Sequence, residues 1–587
     1  MTSQDNAILA GRGAMTITGT IAGVAAWAMV EVLPDLVQNP HLFITLVAAV
    51  GGFFTILLAI SGPTPLGRSA VGAAVLAAAG AVLLGLASTG FHSSEDFLNS
   101  GFPVIAWILF LCLGTPFVAV WVWDRQYWNS YLDLFDFSWS IVVRFTAAWL
   151  FVGVFWLVLF LSDALLSLVS IHWIEWLIEL EPMPYILIGA VFGLALRVVW
   201  EMREYLSPYM LLHLLRLLLP VLLVVMVIFV LALPFSDPET LFAGLSPAGT
   251  MMAVAIGAIS LVSVALDKSD ADAVHAAWMQ WAVRGVALLL PVLAGLAIWG
   301  VWLRVAQYGW TPDRLAAMSA AVIVMAYALL YFLSVLRGGD WMARIRQGNM
   351  ILASVVLGVC VLWLIPIVSA ETISARSQAA RYVNGQVDAH EAALWEMAHE
   401  WGKAGQQALD RLADLPEADH PDLHRALALV VTTDSPYAFG ERLGNPEWED
   451  LPKRLIAAVH MVPQGSVLPL DAVTTLADFR LKDWVQTCER DHQPGCVLLQ
   501  GDFDTRNETQ EGVMFLPATG GEYEALSVWI DADGDLVVGG YLRDPAYGGS
   551  VRLQPEDVQR VLDGDFRIGP SSRNALWLGE RELNPEN

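Results

Sequence analysis

The sequence of 587 residues predicts an all-α polytopic transmembrane bundle of about 11 helices, followed by an extracytoplasmic α+β domain. Three observations carry that prediction. Hydrophobic residues make up 56% of the chain and charged residues only 15%, with a mean hydropathy of +0.55, whereas soluble domains hold about 25% charged residues. Every long apolar run lies before residue 371. Charge divides at the same place: residues 1–370 hold 14 Lys/Arg and 21 Asp/Glu, whereas residues 371–587 hold 18 and 37. A multi-pass domain over 1–370 and an acidic soluble domain over 371–587 follow. The net charge of −26 excludes general nucleic-acid binding, which needs a basic surface. The 24 Trp and 24 Phe exclude disorder, and 4 Cys are too few for a disulfide scaffold or zinc ribbon.

A span needs about 20 mostly apolar residues. Candidates lie near 14–33, 42–60, 70–89, 102–122, 141–162, 185–203, 215–234, 249–266, 284–304, 314–335 and 350–369. The first lacks a basic leader and an A-x-A site, and reads as an uncleaved anchor. The third is lined with Gly72, Ala73, Ala77, Gly80, Ala81 and Gly85, residues that let helix backbones approach closely. Pro116, Pro220, Pro291 and Pro366 are candidate kinks. With the N-terminus inside, only Arg304 and Arg314 of the 14 basic residues before 371 fall on the outer side. That places the C-terminal domain outside the cytoplasm, in the periplasm of a diderm bacterium.

Two segments read as interfacial. Trp121 to Trp139 mixes aromatics with Asp124, Arg125, Asp133 and Asp136, which suits an amphipathic helix at the cytoplasmic headgroups. On the outer side, His172 to Glu181 places Glu175 and Glu179 on one helical face near Asp163. These three carboxylates read first as a solvated surface and second as an outer-face acidic site. Leu217–Leu222 recurs as Leu288–Leu293, and Pro238-Glu239 as Pro312-Asp313, an echo that suggests a parallel repeat of two spans. Span interiors hold no midplane ionisable pair of the kind coupled transport uses. No P-loop, HExxH, G-x-S-x-G or dinucleotide fingerprint is present, so no catalytic, cofactor-binding or metal-ligating set is assigned.

Between the ninth and tenth runs stands Tyr308-Gly309-Trp310-Thr311-Pro312-Asp313-Arg314. Its chemistry is that of a tight turn. Gly309 ends one helix in the left-handed region, Thr311 caps the next, Pro312 opens it and Asp313 suits its positive first turn. Beyond the last run come Gln378, Arg381, Gly385 and Asp388. This turn and these residues resemble the bacterial polytopic proteins of the domain of unknown function 4153 family, over most of residues 1–415. The resemblance implies an inner-membrane protein without an established activity, and it carries over no catalytic residues.

Residues 371–480 read as helical, with helices near 404–414, 420–431, 447–461 and 468–479 and one buried stripe through Leu394, Met397, Ala398 and Trp401. Strands follow at 497–500 and 513–516, then a hairpin from Leu526 to Tyr541 turning at Asp531–Asp535, and a last helix at 555–563. The Asp531, Asp533, Asp535 series lacks the twelfth-position Glu of a calcium loop. His420 with His424, and Glu396 with His399 and Glu400, read as solvated helix faces before they read as metal ligands. Cys488 and Cys496 are the only cysteines outside the apolar runs. An oxidising compartment makes them a disulfide, while Cys112 and Cys360 stay reduced.

Three functions fit, in this order: an envelope-associated protein that senses or binds through its external domain, a transporter or lipid flippase with a groove at helices kinked by Pro220 and Pro291, and an enzyme acting on lipid-linked substrates. The expected partners are membrane lipids and an envelope protein or glycan.

Overall fold

The computed structural model describes residues 3–127, 129–202, 208–235, 247–433, 435–445, 448, 450–490, 492–503, 509–543, 552–569, 576–578 and 581–583. Among them, 11 helices are long and apolar enough to cross a membrane: Leu9–Leu36, Pro40–Ile60, Leu66–Ser88, Phe102–Trp123, Tyr131–Ser167, Met183–Glu201, Leu212–Phe235, Pro247–Leu266, Ala277–Tyr308, Pro312–Leu336 and Trp341–Trp363. They are numbered below as spans one to eleven. The chain is a multi-pass membrane bundle followed by a small sheet. By alternation, odd spans run from the face where the first begins, the proximal face, to the distal face. Local chemistry sets several starts. Asn39 accepts the amides of His41 and Leu42 at 3.0 and 3.1 Å, Ser130 accepts from Asp133, and Pro40 and Pro312 occupy first helical positions.

The expected amphipathic helix over Trp121–Trp139 does not exist as a separate element. Span four runs to Trp123, and span five starts at Tyr131 and continues unbroken to Ser167. The cap at Ser130 starts the helix, and no Pro follows to stop it, so Tyr131 to Trp139 are the first turns of a 37-residue helix while Trp121 and Trp123 end span four.

Glycine decides the closest approach. Gly19 and Gly23 of span one face Gly189 and Gly193 of span six, and a Cβ on any of the four would strike backbone of the other helix. The small-residue stripe of span three is buried as its composition implied, with Gly72, Ala73, Ala77, Gly80 and Ala81 inside. Spans seven to eleven share one core around Leu219, Met226, Val283, Leu290, Tyr331 and Ile345. The second half of the repeat echo, Pro238 to Ser246, lies outside the described residues.

Packing divides the chain into two compact units, Met1–Leu427 and Ala428–Asn587. The change in composition at residue 370 and the division in packing are therefore different things. Three helices after the last span, α2 (Ala370–Val383), α3 (Leu394–His399) and α4 (Gly402–Ala413), belong to the first unit; α1 is the short Trp173–Glu179 helix between spans five and six.

In the second unit, strands β1 (Val459–Val462), β2 (Cys496–Gln500), β3 (Glu511–Pro517), β4 (Tyr523–Ile530) and β5 (Leu536–Tyr541) pair in that order, and β6 (Arg552–Leu553) pairs with β4. Among the described strands of this sheet, only β1–β2 is a parallel pair. Alternate residues serve two cores. Leu498, Met514 and Val528 pack under α5 (Leu451–Ala458), α6 (Leu470–Thr474) and α7 (Asp478–Cys488), while Val497, Leu499, Val513 and Phe515 pack with Val558 of α8 (Pro555–Leu562).

Two expected helices are corrected. The 447–461 helix ends at Ala458, because β-branched Val459 and Val462 pair with β2. The 468–479 helix ends at Thr474, and its neighbour Thr475 accepts the Leu536 amide at 2.9 Å instead of continuing the helix. The Leu526–Tyr541 hairpin is present, its turn held by Asp531 accepting from the amides of Asp533 and Asp535, both at 3.0 Å.

Candidate functional site

Arginines cap three of the helices that descend to the proximal face, spans two, eight and ten. Span two ends in carbonyls that accept from Arg144 of span five, Ala59 at 3.3 Å and Ser61 at 2.6 Å. Span eight ends against two guanidinium groups: Arg216 donates to Val264 at 3.1 Å and pairs with Asp267, and Arg346 donates to Leu266 at 3.0 Å and pairs with Asp270. Arg344 serves the end of span ten through Ser334 and Gly338. The last carbonyls of a helix have no partner within it and carry its negative dipole end, so a cation there satisfies both needs. Residues that the sequence offered only as topology signals are thus built into the bundle. Arg216 and Asp267 are 5% and 3% exposed.

Above these caps lies a cavity of about 710 Å³, bounded by spans two, four and five on one side and eight, ten and eleven on the other. Most of its wall is apolar, including Ile56, Leu111, Phe117, Phe145 and Met350, and no Asp, Glu, Lys or Arg among the described residues lines it. Pro116 of span four lines it, whereas Pro220 and Pro291, the kinks expected to shape a groove, do not. Its polar patch lies in the proximal half of the bundle. Ser263 and Asn349 line it; the Tyr331 hydroxyl, fully buried behind them, donates to Asn349 Oδ1 at 2.9 Å, and Asn349 Nδ2 donates to Ser263 Oγ at 3.1 Å. Ser263 then donates back to Tyr331 at 2.9 Å, which closes a three-membered ring. Tyr131, Ser260 and Tyr327 add further hydroxyls to the wall. The arrangement suits a molecule that is mostly hydrocarbon with one uncharged hydrogen-bonding group.

On the distal face, the Tyr308–Arg314 turn has the chemistry read from it, with one refinement. Thr311 accepts the Arg314 amide at 3.4 Å, and Pro312 and Asp313 sit in the first turn of span ten. Gly309 takes φ +75°, ψ −178°, a region open essentially to glycine alone and distinct from the left-handed helical one. The turn is clamped from two sides. Arg314 donates to the carbonyls of Tyr308 and Gly309 at 3.2 and 2.9 Å. From α2, Gln378 donates to Tyr308 and Trp310 at 2.8 and 3.0 Å, and Arg381 donates to Gln307 at 2.8 Å. A Cβ on Gly309 would run into Arg381 and Gln378.

Several of the remaining candidates have structural partners. Asp163 accepts the Glu175 amide at 3.1 Å and so caps α1, Glu175 lies 3.1 Å from His172, and Glu179 is exposed. His399 stacks on Trp395, His424 bonds the Leu415 carbonyl at 2.8 Å, and His420 meets Tyr382. Among the described residues, no three His, Cys, Asp or Glu side chains gather as a metal site. Cys488, at the end of α7, is disulfide-bonded to Cys496, at the start of β2, with Cα atoms 5.3 Å apart.

Sequence reasoning missed the cavity and the arginine caps. The glycine pairs did carry a signal, since Gly19-x-x-x-Gly23 and Gly189-x-x-x-Gly193 both fit the small-residue motif of packed membrane helices. Comparison with family models, with curated proteins and with solved structures returned no match.

Proposed function

We propose that this chain is a bacterial inner-membrane protein that binds a lipid in the cavity between spans two, four and five and spans eight, ten and eleven. The single observation that carries the reading is the cavity itself, about 710 Å³ of mostly apolar space with a neutral polar patch and no charged wall residue among the described ones. An ion or proton path would need charge or water at that depth, whereas an acyl chain needs neither. The acidic C-terminal unit then serves the envelope side, sensing or binding there. Two observations support that side: the distribution of basic residues among the loops and the Cys488–Cys496 bridge, since disulfides persist in oxidising compartments. Kinship with the domain of unknown function 4153 family is proposed on the sequence resemblance alone; the residues that carry it, Gln378, Arg381 and the Tyr308–Arg314 turn, meet in one contact.

Native mass spectrometry of the full chain, released from its own membrane, tests the lipid reading. Retained lipid is expected in the wild type and lost in Ala353→Trp, which fills the cavity; a wild type without lipid, or a variant that keeps it, sinks the proposal. Sidedness is tested by alkaline phosphatase fusions, expected active after residue 420 and inactive within 337–349. A flippase would use the same cavity, and lipid scrambling by reconstituted protein separates flipping from binding alone.

A further inference from the structure

Glu371 is buried at the distal face with one carboxyl oxygen unpartnered among the described residues. It stands in the first turn of α2, where Ser369 caps the helix by accepting the Thr372 amide at 3.2 Å. Only 4% of the residue is exposed, and Oε1 has no hydrogen-bond partner among the described residues. Burial pushes the carboxyl pKa above its ordinary 4.5, against the pull of the residue's own amide and of Ser369 toward the charged form. A buried carboxylate oxygen without a partner is costly, and such a group persists when a ligand or a proton completes it.

Glu371 lines a cavity of about 310 Å³ at the ends of spans three and eleven and the start of span four. This cavity shares no residue with the one between the span groups. Trp363 and Trp401 form part of its wall, and Arg376 stands exposed at its edge. Lys403 also lines it, but its Nζ is committed to the Thr89 carbonyl at 2.9 Å, where it caps span three. Span ends lie at headgroup depth, where amphipathic aromatic rings concentrate. A carboxylate beside indole rings is the chemistry that recognises an organic ammonium ion. A guanidinium at the edge matches a phosphate.

We infer that this cavity binds a primary ammonium group carried next to a phosphate, with the Glu371 carboxyl group accepting from the ammonium and Arg376 meeting the phosphate. Both an ethanolamine phospholipid headgroup and free phosphoethanolamine present that chemistry.

The test uses the full chain in phosphatidylglycerol nanodiscs, with or without phosphatidylethanolamine, read by native mass spectrometry. A second arm titrates soluble phosphoethanolamine, ethanolamine and glycerol phosphate into the lipid-only phosphatidylglycerol discs by calorimetry. Wild type is expected to prefer the amine-bearing species by about tenfold, the scale of one charge-assisted hydrogen bond. Glu371→Gln keeps the side-chain shape, removes a buried charge and is expected to erase the preference. Arg376→Gln, at an exposed position, is expected to weaken phosphoethanolamine and leave ethanolamine unchanged. Retention of the lipid without soluble binding identifies a headgroup site, soluble binding without lipid retention identifies a free amine, and either supports the inference. Absence of amine preference in both arms, or a preference that survives Glu371→Gln, overturns it; phosphoethanolamine binding unchanged in Arg376→Gln overturns the phosphate half. Ala353→Trp, in the other cavity, is expected to leave all of these results intact, so the two proposals fail separately.

Discussion

Residues 1–427 leave Leu150, Leu161, Val221, Ile228 and Trp281 exposed while burying Gly19, Gly193, Arg144, Arg216 and Arg346. Residues 428–587 do the reverse, burying Leu455, Val473, Trp484 and Val497 and exposing the acidic Asp531–Asp535 turn. The difference reflects the solvent around each unit. Lipid is as apolar as leucine, so in the bundle burial of leucine distinguishes little, and close backbone approach plus satisfied polar groups specify the packing. In the C-terminal unit, water makes apolar burial the driving term.

The largest expected effect attacks the closest helix contact. Gly19→Leu places a side chain against the Gly189 carbonyl, and no folded protein is expected by size-exclusion chromatography in detergent. Full recovery would mean that spans one and six need not touch. Removing one partner of the buried Arg216–Asp267 pair comes next. Arg216→Met is expected to destabilise by about 3–5 kcal/mol, because Asp267 and the Val264 carbonyl lose their donor. Restoration by an added Asp267→Asn change, read as thermal midpoint, would locate the cost in the stranded charge.

The comparison between units is sharpest for one substitution made twice. Leu455→Ala, in the C-terminal core, is expected to cost about 2–5 kcal/mol, whereas Leu161→Ala, exposed on span five, stays within about 0.5 kcal/mol. Equal costs, measured by denaturant titration, would erase the distinction drawn between the units. Reduction of Cys488–Cys496 is expected to lower stability of the C-terminal unit by about 2–3 kcal/mol, since the closed loop is short. Alkylation of both cysteines without prior reduction would refute the bridge. The smallest effect is at the distal turn. Gly309→Ala is expected to cost about 1–3 kcal/mol through strain and collision with Arg381, while Pro312→Ala stays within about 0.5 kcal/mol because Thr311 still caps.

The spans were legible because crossing hydrocarbon demands a length and composition that each segment carries alone. The same holds for the Thr311 cap, the Asp-Gly hairpin after β4 and the small-residue stripe of span three. The fifth span was mislocated at its start because charged and aromatic residues at a headgroup resemble a surface helix until the cap at Ser130 is seen to begin a continuous one. Strand β1 was hidden for a different reason: four residues after a helix become a strand only when β2 offers them a ladder.

The chain by itself determined which segments enter the membrane, where several helices begin, and which two cysteines lie in one soluble stretch, since each depends on neighbours in sequence. Tertiary structure alone decided that Gly19 meets Gly189, that arginines scattered along the first unit converge on helix ends, that Gln378 and Arg381 close over the Gly309 turn, and that Glu371 is left with an unpartnered oxygen. Those facts depend on which surfaces meet. In lipid, where apolar faces are nearly interchangeable, a hydrophobic pattern names a helix but does not name its neighbour.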